Sequence, residues 1–226
     1  MEHEEWHPGS FLGRLKPESL DRIITLGRAV QFTEGDRLIL EGDGGTDVFI
    51  LLTGIVKVSA ITIRGQSVLL ALRLGGDIVG EMAAVDGRPR TATVMACGAV
   101  SARVISAQVW RQYLRSSDEG FTAIYGVTND RLRVETRKRI DFAGHTANGR
   151  VAMVLSEFVR THGNPTDHGI EIAFSLTQEE LAAAAECALT SVQAFLKELR
   201  ESAILGTRYR RIVIFDETRL QAHCNP

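Results

Sequence analysis

The sequence predicts an α+β chain: a closely spaced antiparallel barrel or sandwich, then one long helix, then a small helical domain closed by a hairpin. Three observations carry this. Short β-rich runs succeed one another from about residue 31 to 105 with no helix between them, which implies antiparallel pairing rather than βαβ units. Residues 107–142 then take helical spacing with few breakers. Beyond a hinge, AGHTANG at 143–149, further helices lead into a second strand-forming stretch near the C-terminus.

Taken in order, residues 10–30 place Phe11, Leu12, Leu15, Leu20, Ile23, Ile24 and Leu26 at helical spacing. Pro17 sits where a second helix begins, a good first-turn position. The runs RLILEGD, DVFILLTGIVKVSAI, SVLLALRLGGDIVG and TATVMACGAVSARVI read as strands, punctuated by Gly-Asp, Thr-Gly and Arg-Gly turns. From Phe121 to Ile140 a narrow apolar stripe, including Ile124, Tyr125 and Leu132, predicts a packing helix with a short dimer contact. RVAMVLSEFVRTHG is a helix, NPTDHG a polar loop, IEIAF a short strand. Two helices follow over 174–205, and ILGTR with RYRRIVIFD forms the closing hairpin. Three parts are expected: a β domain at 1–117, a long helix at 118–143 and a C-terminal domain at 144–226.

Composition is that of an ordinary globular chain, 44% hydrophobic and 24% charged. No apolar run is long enough to span a membrane, and the N-terminus lacks the basic start and apolar core of a signal peptide, so a cytoplasmic protein is expected. Cys97, Cys187 and Cys224 are far apart with no CxxC, and the histidines are scattered. No metal or catalytic site is therefore expected, nor an iron–sulfur or haem sensor. The net charge is −2. The last part, 144–226, carries 8 basic against 10 acidic residues, an unfavourable balance for a nucleic-acid binder, because phosphate neutralisation supplies much of the affinity.

The segment GDIVGEMAAVDGRPRTATV, residues 76–94, is the richest in chemistry. Gly80-Glu81 opens a stretch able to form one helical turn, whose free N–H groups attract an anion. Arg90, after Pro89, offers a fork of donors suited to phosphate oxygens. Thr91 adds a hydroxyl, and Glu81 can accept from a ribose hydroxyl. Singly, each is an ordinary turn glycine or surface charge. In this order, VGEM…RPRTATV resembles the phosphate-binding cassette of cyclic-nucleotide-binding domains, and LILEGD at 38–43 and FILLTGIVKV at 49–58 match the supporting barrel.

With GRVA at 149–152 and the helix pair behind it, residues 10–222 resemble the cyclic-AMP receptor/FNR superfamily of transcription regulators. The resemblance implies a double-stranded β-helix (jelly-roll) sensor, a dimerisation helix and a winged helix-turn-helix. Gly80, Glu81, Arg90 and Thr91 match the phosphate and ribose contacts. Counting back from GRVA puts the base-contacting pair at Glu135 and Thr136. Thr136 is a conservative match. Glu135 is not, and its carboxylate suits the two adjacent donors of a guanine edge better than adenine, so cyclic AMP and cyclic GMP are both candidate ligands. Implied partners are double-stranded DNA, a cyclic nucleotide or other small effector, a second copy of the chain and RNA polymerase, with no membrane.

The DNA-reading end fits in framework and departs in readout. Thr177-Gln178-Glu179-Glu180 is a capping box. The family's three base-reading positions fall on Leu189, Thr190 and Ala194, where no long donor remains for a bidentate base contact. Glu186 replaces the turn glycine. Thr190-Ser191-Val192-Gln193 offers another box, so the reading helix is expected to begin near Thr190. Candidate DNA contacts are Thr190, Ser191 and Gln193, with Lys197, Arg208, Arg210 and Arg211 on phosphates. The alternative reading is a sensor or partner-binding module whose helix-turn-helix no longer reads DNA.

Overall fold

The structure, a computed structural model, describes residues 6–63, 65–208 and 211–224. A 3-10 turn (Leu12–Arg14) leads into α1 (Pro17–Ile23), which Pro17 opens as expected. Then come β1 (Arg28–Phe32), β2 (Arg37–Ile39), β3 (Val48–Thr53), β4 (Ile55–Ile61), β5 (Ser67–Leu74), β6 (Ile78–Val79), the short helix α2 (Glu81–Asp86), β7 (Thr93–Ala96) and β8 (Val100–Ile105). They make two four-stranded sheets, ordered β1-β8-β3-β6 and β2-β7-β4-β5, antiparallel in the strand pairs β1–β8, β2–β7, β3–β6, β3–β8 and β4–β7.

The β3 run VFIL shows why its sequence is continuously apolar rather than alternating. Val48 and Ile50 point into a cluster with Phe11, Leu12, Ile23, Ile105 and Trp110. Phe49 and Leu51 point the other way, into a cluster with Ile39, Val56, Val94, Ala102 and Val104. A strand buried on both faces has no polar side to alternate with.

Residues 107–142 form two helices, α3 (Ala107–Ser116) and α4 (Asp118–Ala143). Ser106 caps α3 by accepting from the Val109 N–H. Along α4, Phe121, Tyr125, Leu132, Val134 and Ile140 are exposed, while Ile124 packs on the core of the β domain.

The remaining elements are α5 (Ala147–His162), β9 (Gly163–Thr166), β10 (Gly169–Ile172), α6 (Gln178–Ala184), α7 (Leu189–Glu201), β11 (Leu205–Arg208), β12 (Arg211–Ile214) and α8 (Glu217–Ala222). The strands form one sheet, β11-β12-β10-β9. The expected loop NPTDHG is instead largely the hairpin β9–β10. Its Pro165 is tolerated because β9 is an edge strand. α8 was not legible as a helix; Asp216 starts it by accepting from the Arg219 N–H at 2.9 Å. The chain divides into two compact units, one of residues up to Ala60 with Leu70–Glu135, the other of Ile61–Leu69 with residues from Thr136 onward.

Candidate functional site

Gly80 follows β6 with φ of 83°, and α2 starts at the next residue. A side chain at Gly80 could not be accommodated. Its Cβ would lie 2.6 Å from Arg90 Nη1 and 2.8 Å from the Asp47 carbonyl oxygen, and the left-handed backbone favours glycine in any case. The vacant space is used by Arg90, which is 7% exposed. Its Nη1 donates to the Gly80 carbonyl at 2.9 Å and its Nη2 to the Asp47 carbonyl at 2.6 Å. The backbone on either side is also pinned, Arg90 N–H to Asp43 O and Gly42 N–H to Arg90 O, both 2.9 Å. Burial pulls the Arg90 pKa down, and the charges of Asp47, Glu81 and Asp43 oppose that shift.

These residues border a cavity of about 350 Å³. Its walls are apolar, from Ile39, Val58, Leu70, Val79 and Val94, and its polar lining includes Arg73, Glu81, Arg90, Thr91, Arg131 and Glu135. All of them lie in the first unit. The volume falls in the range of small-molecule sites, and the mixture of apolar wall with a few convergent polar groups is typical of them.

Of the ligand-site residues expected from sequence, Gly80, Glu81, Arg90, Thr91 and Glu135 come together around this cavity. Thr136, the next residue on α4, is exposed and does not line it; successive helical residues point about 100° apart. Glu81 is not a free acceptor. Its Oε1 takes a bond from Arg131 Nη1 at 2.9 Å, and Arg131 Nη2 donates to the Ile78 carbonyl at 2.8 Å, with Asp77 at 3.7 Å. Sequence reasoning missed Arg131 and Arg73. The signal for Arg73 was available: it is the one charge inside the apolar run SVLLALRL. Burial, and then the like charge of Arg131, bring its pKa down to about 10 against the opposing pull of Asp77, Glu81 and Glu135.

In the second unit the Thr177 capping box is complete, with Glu180 N–H to Thr177 Oγ1 at 3.1 Å and Thr177 N–H to Glu180 Oε2 at 2.8 Å. The turn that follows takes φ of 49° at Glu186, the left-handed conformation that glycine would adopt at lower cost. Arg150 clamps that turn. Its Nε donates to Ala185 O at 2.9 Å and its Nη2 to Glu186 O at 3.0 Å.

α7 begins at Leu189 with Ala188 as N-cap and no side-chain cap bond. This corrects the expected start near Thr190: the Ser191 and Val192 N–H groups already bond to the Ala188 carbonyl, so Thr190 lies inside the first turn and cannot cap. Thr190 and Gln193 are exposed there and Ser191 is half-buried. Val192, Phe195, Leu196 and Leu199 form the buried face.

Lys197 lies 3.8 Å from Glu201, and Arg211 donates to Glu171 at 3.1 Å. Arg208 faces Arg211 across the β11–β12 ladder. Both border a cavity of about 210 Å³ with Thr177, Gln178 and Leu196. Arg210, also expected at the DNA, lies outside the described residues.

Residues 29–117 match the cyclic nucleotide-binding domain family, and residues 149–223 match the Crp-like helix-turn-helix domain. The two matches occur in the order the superfamily requires and together cover more than half of the chain. The chain belongs to the cyclic-AMP receptor/FNR superfamily. It is a DNA-binding transcription regulator, not an enzyme.

Relatives within the superfamily include a CRP-like cAMP-activated global transcriptional regulator of Mycobacterium tuberculosis, 24% identical over 94% of both chains. A global nitrogen regulator of Synechococcus elongatus is 23% identical over 84% of this chain and 86% of its own. Among solved structures, a CRP-family regulator from Thermus thermophilus superposes with a TM-score of 0.74 at 21% identity, covering 86% of this chain and 96% of that one. The c-di-GMP responsive global regulator CLP of Xanthomonas campestris does so at 0.75 and 18% identity, covering 88% and 99%. At these identities the superpositions establish the shared fold. No helix among the described residues is long and apolar enough to cross a membrane.

Proposed function

We propose that this regulator works as a homodimer whose affinity for DNA is set by a cyclic nucleotide bound in the β domain. Residues 1–117 would serve as sensor, 118–143 as dimerisation helix and 144–226 as DNA-binding domain. The observation that carries the reading is the cavity beside Gly80 with the buried, backbone-anchored Arg90 at its edge. A guanidinium already held in place meets an anionic phosphate without first giving up its own side-chain freedom.

The cavity also takes Arg131 and Glu135 from α4, and α4 carries the exposed apolar stripe of Phe121, Tyr125 and Leu132. A ligand there touches the same helix that a second copy would cover. That gives one element biased by both events, and coupling of about 1–3 kcal/mol is the usual scale of such a switch. A two-fold dimer calls for a roughly palindromic site with half-sites about one helical turn apart. The finer contacts assigned to DNA are Thr190, Ser191 and Gln193 on α7, and Lys197, Arg208, Arg210 and Arg211 on phosphates.

Calorimetry of the full chain against cyclic AMP and cyclic GMP tests the sensor, and selection from random DNA with and without the bound nucleotide tests the coupling. Saturable binding and an enriched palindrome are expected. No binding of either nucleotide removes the ligand assignment, and an enrichment indifferent to bound nucleotide removes the switch.

A further inference from the structure

The turn that joins α6 to α7 is held from outside by a residue of α5. Arg150, half-buried there, donates from Nε to Ala185 O at 2.9 Å and from Nη2 to Glu186 O at 3.0 Å. Its Nη1 reaches back to the His145 carbonyl at 3.4 Å. Its guanidinium carbon lies 5.9 Å from the centroid of the Phe142 ring, within the reach of a cation–π contact. Phe142 is 5% exposed in the last turn of α4, and Lys138 Nζ stands 5.1 Å from the same centroid. One side chain thus touches the end of α4, the hinge and the α6–α7 turn. All of these residues belong to the second unit.

The turn is strained and α7 is uncapped. Glu186 keeps φ of 49°, a conformation that persists in a residue with a side chain only where its surroundings impose it. Ala188, the N-cap of α7, makes no side-chain cap bond, so no cap fixes the direction in which α7 leaves the turn. What holds the turn therefore sets the pose of α7, which exposes Thr190 and Gln193. Phosphate contacts carry no sequence information, whereas base readout needs side chains to meet base edges. A tilt of α7 costs discrimination before it costs affinity.

We propose that Arg150 is the positioning residue for base reading, fixing the α6–α7 turn against the last turn of α4. This rests on the assignment of α7 as the helix that reads bases, and it adds the residue that sets the pose of that helix. The role calls for arginine. A planar fork serves two successive carbonyls while its face meets a ring, and an ammonium keeps the charge without that geometry.

The test uses the full-length protein and two duplexes. One is the sequence most enriched by the unaltered chain from random DNA, selected with and without cyclic AMP and cyclic GMP; the other is its scrambled counterpart. Gel-shift titration gives the ratio of the two affinities for the unaltered chain, Arg150→Lys and Phe142→Leu. Arg150→Lys keeps the charge, and Phe142→Leu removes the ring while leaving the Arg150 hydrogen-bond partners in place. Arg150→Lys should lower the ratio about tenfold, on the scale of one base-discriminating contact, and Phe142→Leu severalfold. Both losses should come from weaker binding of the selected duplex, with binding of the scrambled one unreduced. A variant that is partly unfolded would lose both affinities by the same factor and leave the ratio untouched. Ratios unchanged in both variants overturn the positioning role and leave α7 as the reader. No enrichment of any sequence by the unaltered chain overturns both.

Discussion

Two arginines of the first unit's cavity, Arg90 and Arg131, and two of the second unit's β11–β12 hairpin, Arg208 and Arg211, stand in opposite states. Arg90 and Arg131 are held by carbonyls and a carboxylate at 2.6–2.9 Å. Arg208 and Arg211 are exposed, and Arg211's partner, Glu171, is half-buried on β10. A buried charge needs its partners to be tolerated at all, so its position is dictated by the fold. An exposed one is tolerated anywhere and can follow a phosphate backbone of varying shape. The reading helix reinforces the contrast, since Leu189, Thr190 and Ala194 offer no long donor. On the function proposed above, sequence preference would come from short side chains such as Thr190 and Gln193 and from DNA shape.

The largest effect should come from Arg90→Ala. Removing the buried partner of a phosphate is expected to cost about 2–5 kcal/mol in nucleotide affinity, with DNA affinity of the ligand-free protein unchanged. Calorimetry checks the first and gel-shift titration the second. Unaltered nucleotide affinity would break the contrast at its stronger end.

Next is Arg150→Ala. It removes charge-assisted bonds to the carbonyls of Ala185 and Glu186 and should destabilise the second unit by about 1–3 kcal/mol, read from chemical denaturation followed by far-UV circular dichroism. The strained turn at Glu186 should loosen with it, raising amide exchange there.

The double change Arg210→Ala/Arg211→Ala should weaken DNA binding about equally across sequences. It should also flatten the dependence of log Kd on log salt by roughly one for each phosphate no longer neutralised. An unchanged slope would mean that the wing does not touch phosphate.

The last effect is absent at neutral pH and concerns acid conditions alone. Burial brings the His162 pKa down to about 4, its Nε2 has no partner among the described residues, and Phe158 and Phe174 stand edge-on to its ring. Below its ordinary value of 6.5 the unfolded chain takes up a proton that the folded one refuses until about pH 4. The stabilising contribution is therefore complete above pH 6.5, falls as pH drops toward 4 and then levels. Denaturation midpoints across that window should decline less in His162→Phe than in the unaltered chain.

Much of the molecule could be read without coordinates. The unbroken β-rich run, the capping box at Thr177 and the order Gly80-Glu81…Arg90-Thr91 are local patterns, and the elements they specify are present. Where reading failed, a contact outside the local pattern had overridden it. Asn164 and Pro165 look like loop until β10 supplies an edge to pair with. A second T-x-x-Q box suggested a helix start at Thr190, yet the Ala188 carbonyl had already accepted the first bonds.

The sequence by itself determined the family and placed Gly80, Glu81, Arg90, Thr91 and Glu135 among the residues that line the cavity, because turn chemistry, apolar patterning and capping act over a few residues. Only the tertiary structure decided which charges are already spent. Arg131 meets Glu81 across fifty residues of chain and Arg90 meets Asp47 across forty-three, and such pairings depend on how strands and helices pack, not on spacing along the sequence. The same packing brings Arg73 and Glu135 into one lining with neither held in an ion pair among the described residues.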